Sequence, residues 1–118
     1  MDTLIIGNQS AKDINERLVR VWKTGKAEPA ARLDFLSLDD AWKLLSDKRR
    51  AIMHAMAGAG PVSIREIARR VERDVRAVHS DVRLLHHAGV IDRTEDGRMV
   101  LPYKTIKFDF TIETQRAA

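Results

Sequence analysis

The chain contains no cysteine. Disulfides, a thiolate zinc site and a cysteine nucleophile are therefore excluded, and a reducing compartment suits it. No apolar run approaches the ~20 residues that a helix needs to cross a bilayer. The opening residues MDTLIIGN lack a basic start and a long apolar core, so no secretory signal is read there. The expectation is a cytoplasmic protein with no membrane partner. No nucleophile with its base, no paired carboxylates and no phosphate-cradling glycine loop stand out, and Gly58-Ala59-Gly60-Pro61 reads as a helix stop. The chain is not expected to be an enzyme, and no cofactor is implied. A metal site is not expected either: of His54, His79, His86 and His87, the last two are adjacent and project ~100° apart on a helix. Their place near a helix C-terminus suits the dipole.

What is present is charge and clear periodicity. Charged residues make up 32% of the chain and the net charge is +4, a balance that suits a polyanionic partner. The length of 118 residues is enough for one compact domain with modest extensions.

The most readable stretch spans 62–101. Ser63 caps a helix over 63–71, and Glu66 three residues on completes a capping box. Ile64, Ile67, Ala68 and Val71 share one face. Asp74 caps a second helix that closes at Gly89. Val75, Val78, Val82 and Leu85 form its apolar stripe, and Arg76, Ser80, Arg83 and His87 lie opposite. The turn Glu72-Arg73-Asp74 has no glycine, so a looser variant is expected there. A hairpin follows, with strand-like 90–94, a two-residue Asp96-Gly97 turn and a return over 98–101. A short helix, a tight turn and a longer helix with a polar, basic outer face is the helix-turn-helix layout.

On the N-terminal side, the apolar run Leu4-Ile5-Ile6 reads as a strand over 3–7, buried on both faces or paired with another chain. Ser10 caps a helix with Ile14, Leu18, Val21 and Trp22 on one face, stopped by Gly25. A linker over 26–30 precedes a second strand over 31–37. This strand-helix-strand unit is too small to fold alone and must dock on the domain, on the C-terminal strand or on a second copy. Ser37 caps a helix carrying Ala41, Trp42, Leu44 and Leu45. Ser46-Asp47 recaps, and 48–57 forms a supporting helix with Ile52, Met53 and Met56 inward. Val62 fits a short third strand. After Pro102, Ile106, Phe108, Phe110 and Ile112 alternate with polar residues, the cleanest strand pattern in the chain. It is expected to pair with the N-terminal layer, within the chain or across a dimer. A frayed tail is expected from Thr114 to Ala118.

The sequence LLHHAGVIDRTEDGRMVLP resembles the end of a recognition helix, glycine, strand, charged wing tip and second strand of winged helix-turn-helix transcriptional regulators. From LIIGN to IKFDFTI, the whole chain resembles small prokaryotic DNA-binding antitoxins of the TumA-like kind. The fold expected is α+β: a winged helix-turn-helix with an N-terminal strand-helix-strand extension and an extra C-terminal strand. Residues 1–36 would form a dimerisation or partner-binding segment, 37–101 the DNA-binding domain and 102–118 the C-terminal strand and tail. The resemblance implies a sequence-specific regulator of double-stranded DNA that represses its own operon and covers a cognate toxin. The rival is a winged-helix protein-interaction module without DNA binding.

Arg76, Ser80 and Arg83 recur at i, i+4 and i+7, and arginine reads guanine bidentately. They are the first candidates for base contact, with Ala77 placed for a thymine methyl. His79 would reach a phosphate or pack at the helix interface. Ser63 and Arg65 open a helix whose N–H groups suit phosphate, although Ser63 serves equally as a simple cap. Arg73 extends the positive surface with Arg69 and Arg70, some of them pairing with Glu66, Glu72 or Asp74. Arg93 and Arg98 flank the wing tip, where Glu95 and Asp96 oppose deep entry into a groove. Lys48, Arg49 and Arg50 open a helix against its dipole, which points to phosphate or to a solvated patch.

Overall fold

The structure, a computed structural model, describes residues 2–26 and 30–114. The central part of the expected linker, 27–29, and the tail at 115–118 lie outside the described residues. The chain is α+β. In order it forms β1 (Thr3–Asn8), α1 (Ala11–Thr24), β2 (Ala31–Phe35), α2 (Leu38–Leu44), α3 (Asp47–Met56), α4 (Ile64–Val71), α5 (Val75–Ala88), β3 (Asp92–Arg93), β4 (Met99–Val100) and β5 (Thr105–Asp109). No helix among the described residues is long and apolar enough to cross a membrane.

β1 is the middle of a parallel sheet of order β2-β1-β5, and β3 and β4 pair antiparallel. The register sets Ile6 between Leu33 and Phe108, and Leu4 between Ala31 and Ile106. Those apolar residues share one face, because partners across a ladder point the same way. α2 covers this face, with Ala41 and Leu45 buried. Leu4 and Ile6 thereby enter the same core as Ile52, Met56, Ile67, Val78, Val82, Leu85, Val90 and Ile91. The N-terminal unit is therefore docked on the C-terminal strand and on α2. Gly7 is required at its position: a Cβ there would lie 2.8 Å from the Asp109 carbonyl oxygen.

The other face of the sheet is polar and carries Asp34, whose side chain is 4% exposed. Arg17 of α1 meets it at 2.9 Å and Arg32 at 3.0 Å. Burial alone would raise the Asp34 pKa, but the hydrogen bonds from Arg32 and Arg17 outweigh it and hold the carboxyl below its ordinary value. α1 docks through Ile14, Arg17 and Val21, while Leu18 and Trp22 from the expected apolar face stand 60% and 88% exposed.

The helix starts follow from their caps. The hydroxyls of Ser10, Ser37, Ser46 and Ser63 accept the backbone N–H groups of Asp13, Asp40, Arg49 and Glu66. The expected capping box at Ser63 is only half made. The Glu66 carboxylate turns instead to Arg69 and Arg70, which offer charge-assisted bonds. The expected looser turn after α4 is not found. Glu72 takes the left-handed conformation at φ 55°, and its N–H and that of Arg73 close onto the Arg69 and Ala68 carbonyls. Val75 does not join the apolar stripe. It is the first residue of α5 and is 42% exposed.

The hairpin also differs from expectation. Thr94 and Arg98 are bonded at 2.8 Å, and Gly97 N–H returns to the Thr94 carbonyl. The loop is thus Glu95-Asp96-Gly97, with Gly97 left-handed at φ 85°. A two-residue turn would need positive φ at Asp96 as well; three residues need it only at the glycine. Val62 bridges Met99 in both directions at 2.8 Å, tying the segment before α4 to the hairpin.

α3, α4 and α5 pack on one another around Ile52, Ile67, Val78 and Leu85, each 0% exposed. Full burial of such side chains stabilises by ~1.5–3 kcal/mol each. A carboxylate joins α5 to α3 and to the α4–α5 turn. Asp81 of α5 receives Arg49 Nε of α3 at 3.1 Å. Its other oxygen lies 2.9 Å from the buried Arg73 Nη1, an ion-pair approach off the hydrogen-bond direction. Arg49 Nη1 also donates to the Lys43 and Leu44 carbonyls, and Arg50 Nη1 to that of Leu45. The cationic start of α3 is therefore spent on the orphan carbonyls of α2, and the phosphate role entertained for Arg49 and Arg50 does not hold.

Replacing Asp81→Ala leaves two partly buried guanidinium groups without their carboxylate. A loss of ~3 kcal/mol is expected in urea denaturation. Glu72→Gly should act in the opposite direction and raise stability by ~1 kcal/mol, by relieving the left-handed residue. An unchanged midpoint for Glu72→Gly would mean that this turn carries no strain.

Candidate nucleic-acid interface

α5 presents its inner face through Val78, Val82 and Leu85, all buried, so its outer face is determined by helical geometry. Arg76, Ala77, His79, Ser80 and Arg83 all stand exposed on α5. Among the described residues, Arg76 and Arg83 make no ion pair, so their guanidinium groups are available. Ser80 Oγ donates back to the Arg76 carbonyl at 3.2 Å, which leaves its lone pairs free to accept.

A cleft of about 390 Å³ runs between α5 and the hairpin. His79, Arg83, His86 and His87 line it from α5, Arg93 and Gly97 from the hairpin, with Ile64, Val82 and Met99 as its apolar floor. His79, Arg83 and Arg93 are thus brought together, as a basic channel at the C-terminal half of α5. His86 and His87, read from sequence as helix-end residues, belong to the same lining. A spacing signal pointed there: His79, Arg83 and His86 recur at i, i+4 and i+7, as Arg76, Ser80 and Arg83 do.

The remaining candidates are placed differently. Ser63 is the α4 cap, with its hydroxyl taken by Glu66 N–H at 3.1 Å. Arg65 is exposed on the first turn of α4. Arg73 is not part of the outer surface. Its side chain is 20% exposed and committed to Asp81, because the α4–α5 turn directs it inward. Arg98 bonds Asp96 at 2.8 Å, so the acidic tip cancels its charge. Arg69 and Arg70 both pair with Glu66, and Arg70 also donates to the Ala55 carbonyl.

The hydrogen bonds from Arg69 and then Arg70 draw the Glu66 carboxyl down to about 2. Its folded pKa is depressed, so the stabilisation from these pairs is complete above the ordinary glutamate range. It is lost as the pH falls toward 2. An NMR titration should show the Glu66 midpoint near that value, and Arg69→Gln with Arg70→Gln should return it toward the ordinary 4.5. A normal midpoint in the unaltered protein would show that both arginines stay free for other partners.

Comparison with known proteins adds a family and no activity. No curated protein and no solved structure matches the chain significantly. Residues 44–108 match the model of the HVO_A0114 family. That span runs from the end of α2 through α3, α4, α5 and the hairpin into β5, more than half of the chain. It contains the outer face of α5, the basic cleft and the Asp81 contacts together, and on that match the chain belongs to the HVO_A0114 family.

Proposed function

We propose that the protein is a sequence-specific DNA-binding transcriptional regulator of the winged helix-turn-helix type. It would act as a homodimer over two half-sites. The observation that carries this reading is the outer face of α5. Arg76 and Arg83 stand exposed and unpaired there among the described residues, directly behind a rigid, fully buried stripe. A helix so held enters the major groove as a unit, and its arginines can bond guanine O6 and N7.

The arrangement around α5 supports the same reading. α4 precedes it across a tight turn, α3 backs both, and the β3–β4 hairpin follows with Val62 bridged to it. The cleft beside Arg93 gives the phosphate backbone a basic track. The hairpin tip contributes little, since Asp96 neutralises Arg98. Base recognition therefore rests on Arg76, Ala77, Ser80 and Arg83, with His79, Arg65 and Arg93 toward phosphate. Pairing with a toxin rests on the antitoxin resemblance alone.

Arg76→Ala with Arg83→Ala tests this. Each lost bidentate contact removes ~1–3 kcal/mol, so affinity for the promoter of its own gene should fall at least ~30-fold while the fold is kept. Binding by the unaltered protein should weaken steeply with salt, because phosphate neutralisation releases counterions. A double variant that binds as before overturns the α5 assignment. A protein that shifts DNA at no salt concentration is an interaction module instead.

A further inference from the structure

The sheet order ends at β5, so among the described residues one side of this strand carries no neighbour strand. Thr105 N–H donates to the Asp2 carbonyl, and Thr111 N–H to Asn8 Oδ1. Backbone groups alternate sides along a strand, so the odd-numbered residues face β1. The N–H and C=O groups of Ile106, Phe108 and Phe110 therefore point to the open edge.

We infer that a second copy of this chain pairs its own β5 here, antiparallel, with Phe108 opposite Phe108 across the two-fold axis. The inference takes up the homodimer of the reading above and gives it a surface. In this register Lys107 faces Asp109 of the second copy, and Asp109 faces its Lys107. Ile106 faces Phe110, and Thr105 faces Thr111. Opposite charges meet twice, and the apolar residues stay on one face. The registers on either side fail this match. One residue toward Lys107 sets lysine on lysine, and one toward Asp109 sets aspartate on aspartate. Phe108 at the centre presents an outward N–H and C=O, so the central pair exchanges both bonds.

The side chains beside the edge agree. Phe108 is 45% exposed and stacks on Phe110, which meets Trp42 edge-on at 5.2 Å. Trp42 itself is 59% exposed. Ile106 and Phe108 also line a cleft of about 550 Å³ against Met53, Leu101 and Pro102. The aromatic row of a second copy would continue this apolar surface and cover it. Lys107 and Asp109 are exposed and, among the described residues, make no ion pair. The β2 edge offers no equivalent, because Asp34 is already consumed by Arg17 and Arg32.

The native chain has no cysteine, so single thiols report the register cleanly. By light scattering without DNA, the protein should be a dimer. Phe108→Cys should crosslink into a covalent dimer under mild oxidation, while Lys107→Cys and Asp109→Cys should not, since their copies sit ~7–8 Å apart on the diagonal. Lys107→Asp should weaken the dimer at least tenfold, with circular dichroism unchanged, and Lys107→Asp with Asp109→Lys should restore it. A monomeric protein, a dimer indifferent to Lys107→Asp, or preferential crosslinking at 107 overturns the inference. A dimer that fails to bind DNA leaves it standing and removes only the regulator reading.

Discussion

Asp81 is the charged side chain of α5 that faces inward, and the direction of the helix depends on it. Val78, Val82 and Leu85 bury α5 but would tolerate a modest roll, because apolar contacts are non-directional. Asp81 does not tolerate it. Arg49 comes from α3 and Arg73 from the turn before α5, and both must find the carboxylate within about 3 Å. A roll of one residue would strand two partly buried guanidinium groups, which is costly for any buried charge. Arg49 at the same time closes the C-terminal carbonyls of α2, and α2 packs on the sheet. A single carboxylate thus links the exposed face of α5 to the N-terminal layer.

The same chemistry is used again on the far side of the molecule. Asp34 takes Arg17 and Arg32, and so ties α1 to β2 across the polar face of the sheet. The two faces of that sheet are stabilised differently. The apolar one contributes Leu4 and Ile6 to the common core, whereas the polar one depends on hydrogen-bonded charge. This explains why α1, amphipathic by sequence, buries Arg17 and leaves Trp22 outside. The strand it covers presents arginine and aspartate, and only a charged partner satisfies them.

Local patterns in the sequence reached far into this structure. The serine and aspartate caps, the glycine stop after α5, most of the inner stripe of α5 and the start of β5 follow from short-range rules, whereas β5 ends at Asp109 although the alternation runs on to Ile112, and β2 ends at Phe35 rather than at 37. What failed was non-local or depended on backbone detail. Arg73 has Glu72 and Asp74 beside it in sequence, yet it pairs with Asp81, which only the close of the α4–α5 turn brings near. Glu72 adopts a left-handed conformation that propensity disfavours, because the packing of α4 against α5 requires a tight turn. Asp96-Gly97 signalled a turn correctly, but loop length is decided by the φ of Asp96, which no dipeptide reveals. At the candidate interface, Arg76 and Arg83 were legible from helical period. The same period sets His86 beside His79 and Arg83, but the cleft they line with His87 was not legible, since it needs the hairpin folded against α5.

The arginines show why net charge is a poor guide to a binding surface. Arg17, Arg32, Arg49 and Arg73 are held by Asp34 and Asp81, Arg69 and Arg70 by Glu66, Arg50 by Asp47 and Arg98 by Asp96. Five carboxylates offset five of these eight guanidinium charges within the protomer, so their field beyond a Debye length of ~8 Å is reduced. Arg65, Arg76, Arg83 and Arg93 are not so cancelled among the described residues. Arg83 and Arg93 line the cleft, Arg76 and Arg83 lie on the outer face of α5, and Arg65 is exposed on the first turn of α4. Internal pairing thus sets these four arginines apart from most of the others, although Arg20 on α1 is likewise without an ion pair among the described residues. The acids that do the pairing therefore shape that surface as much as the arginines that line it.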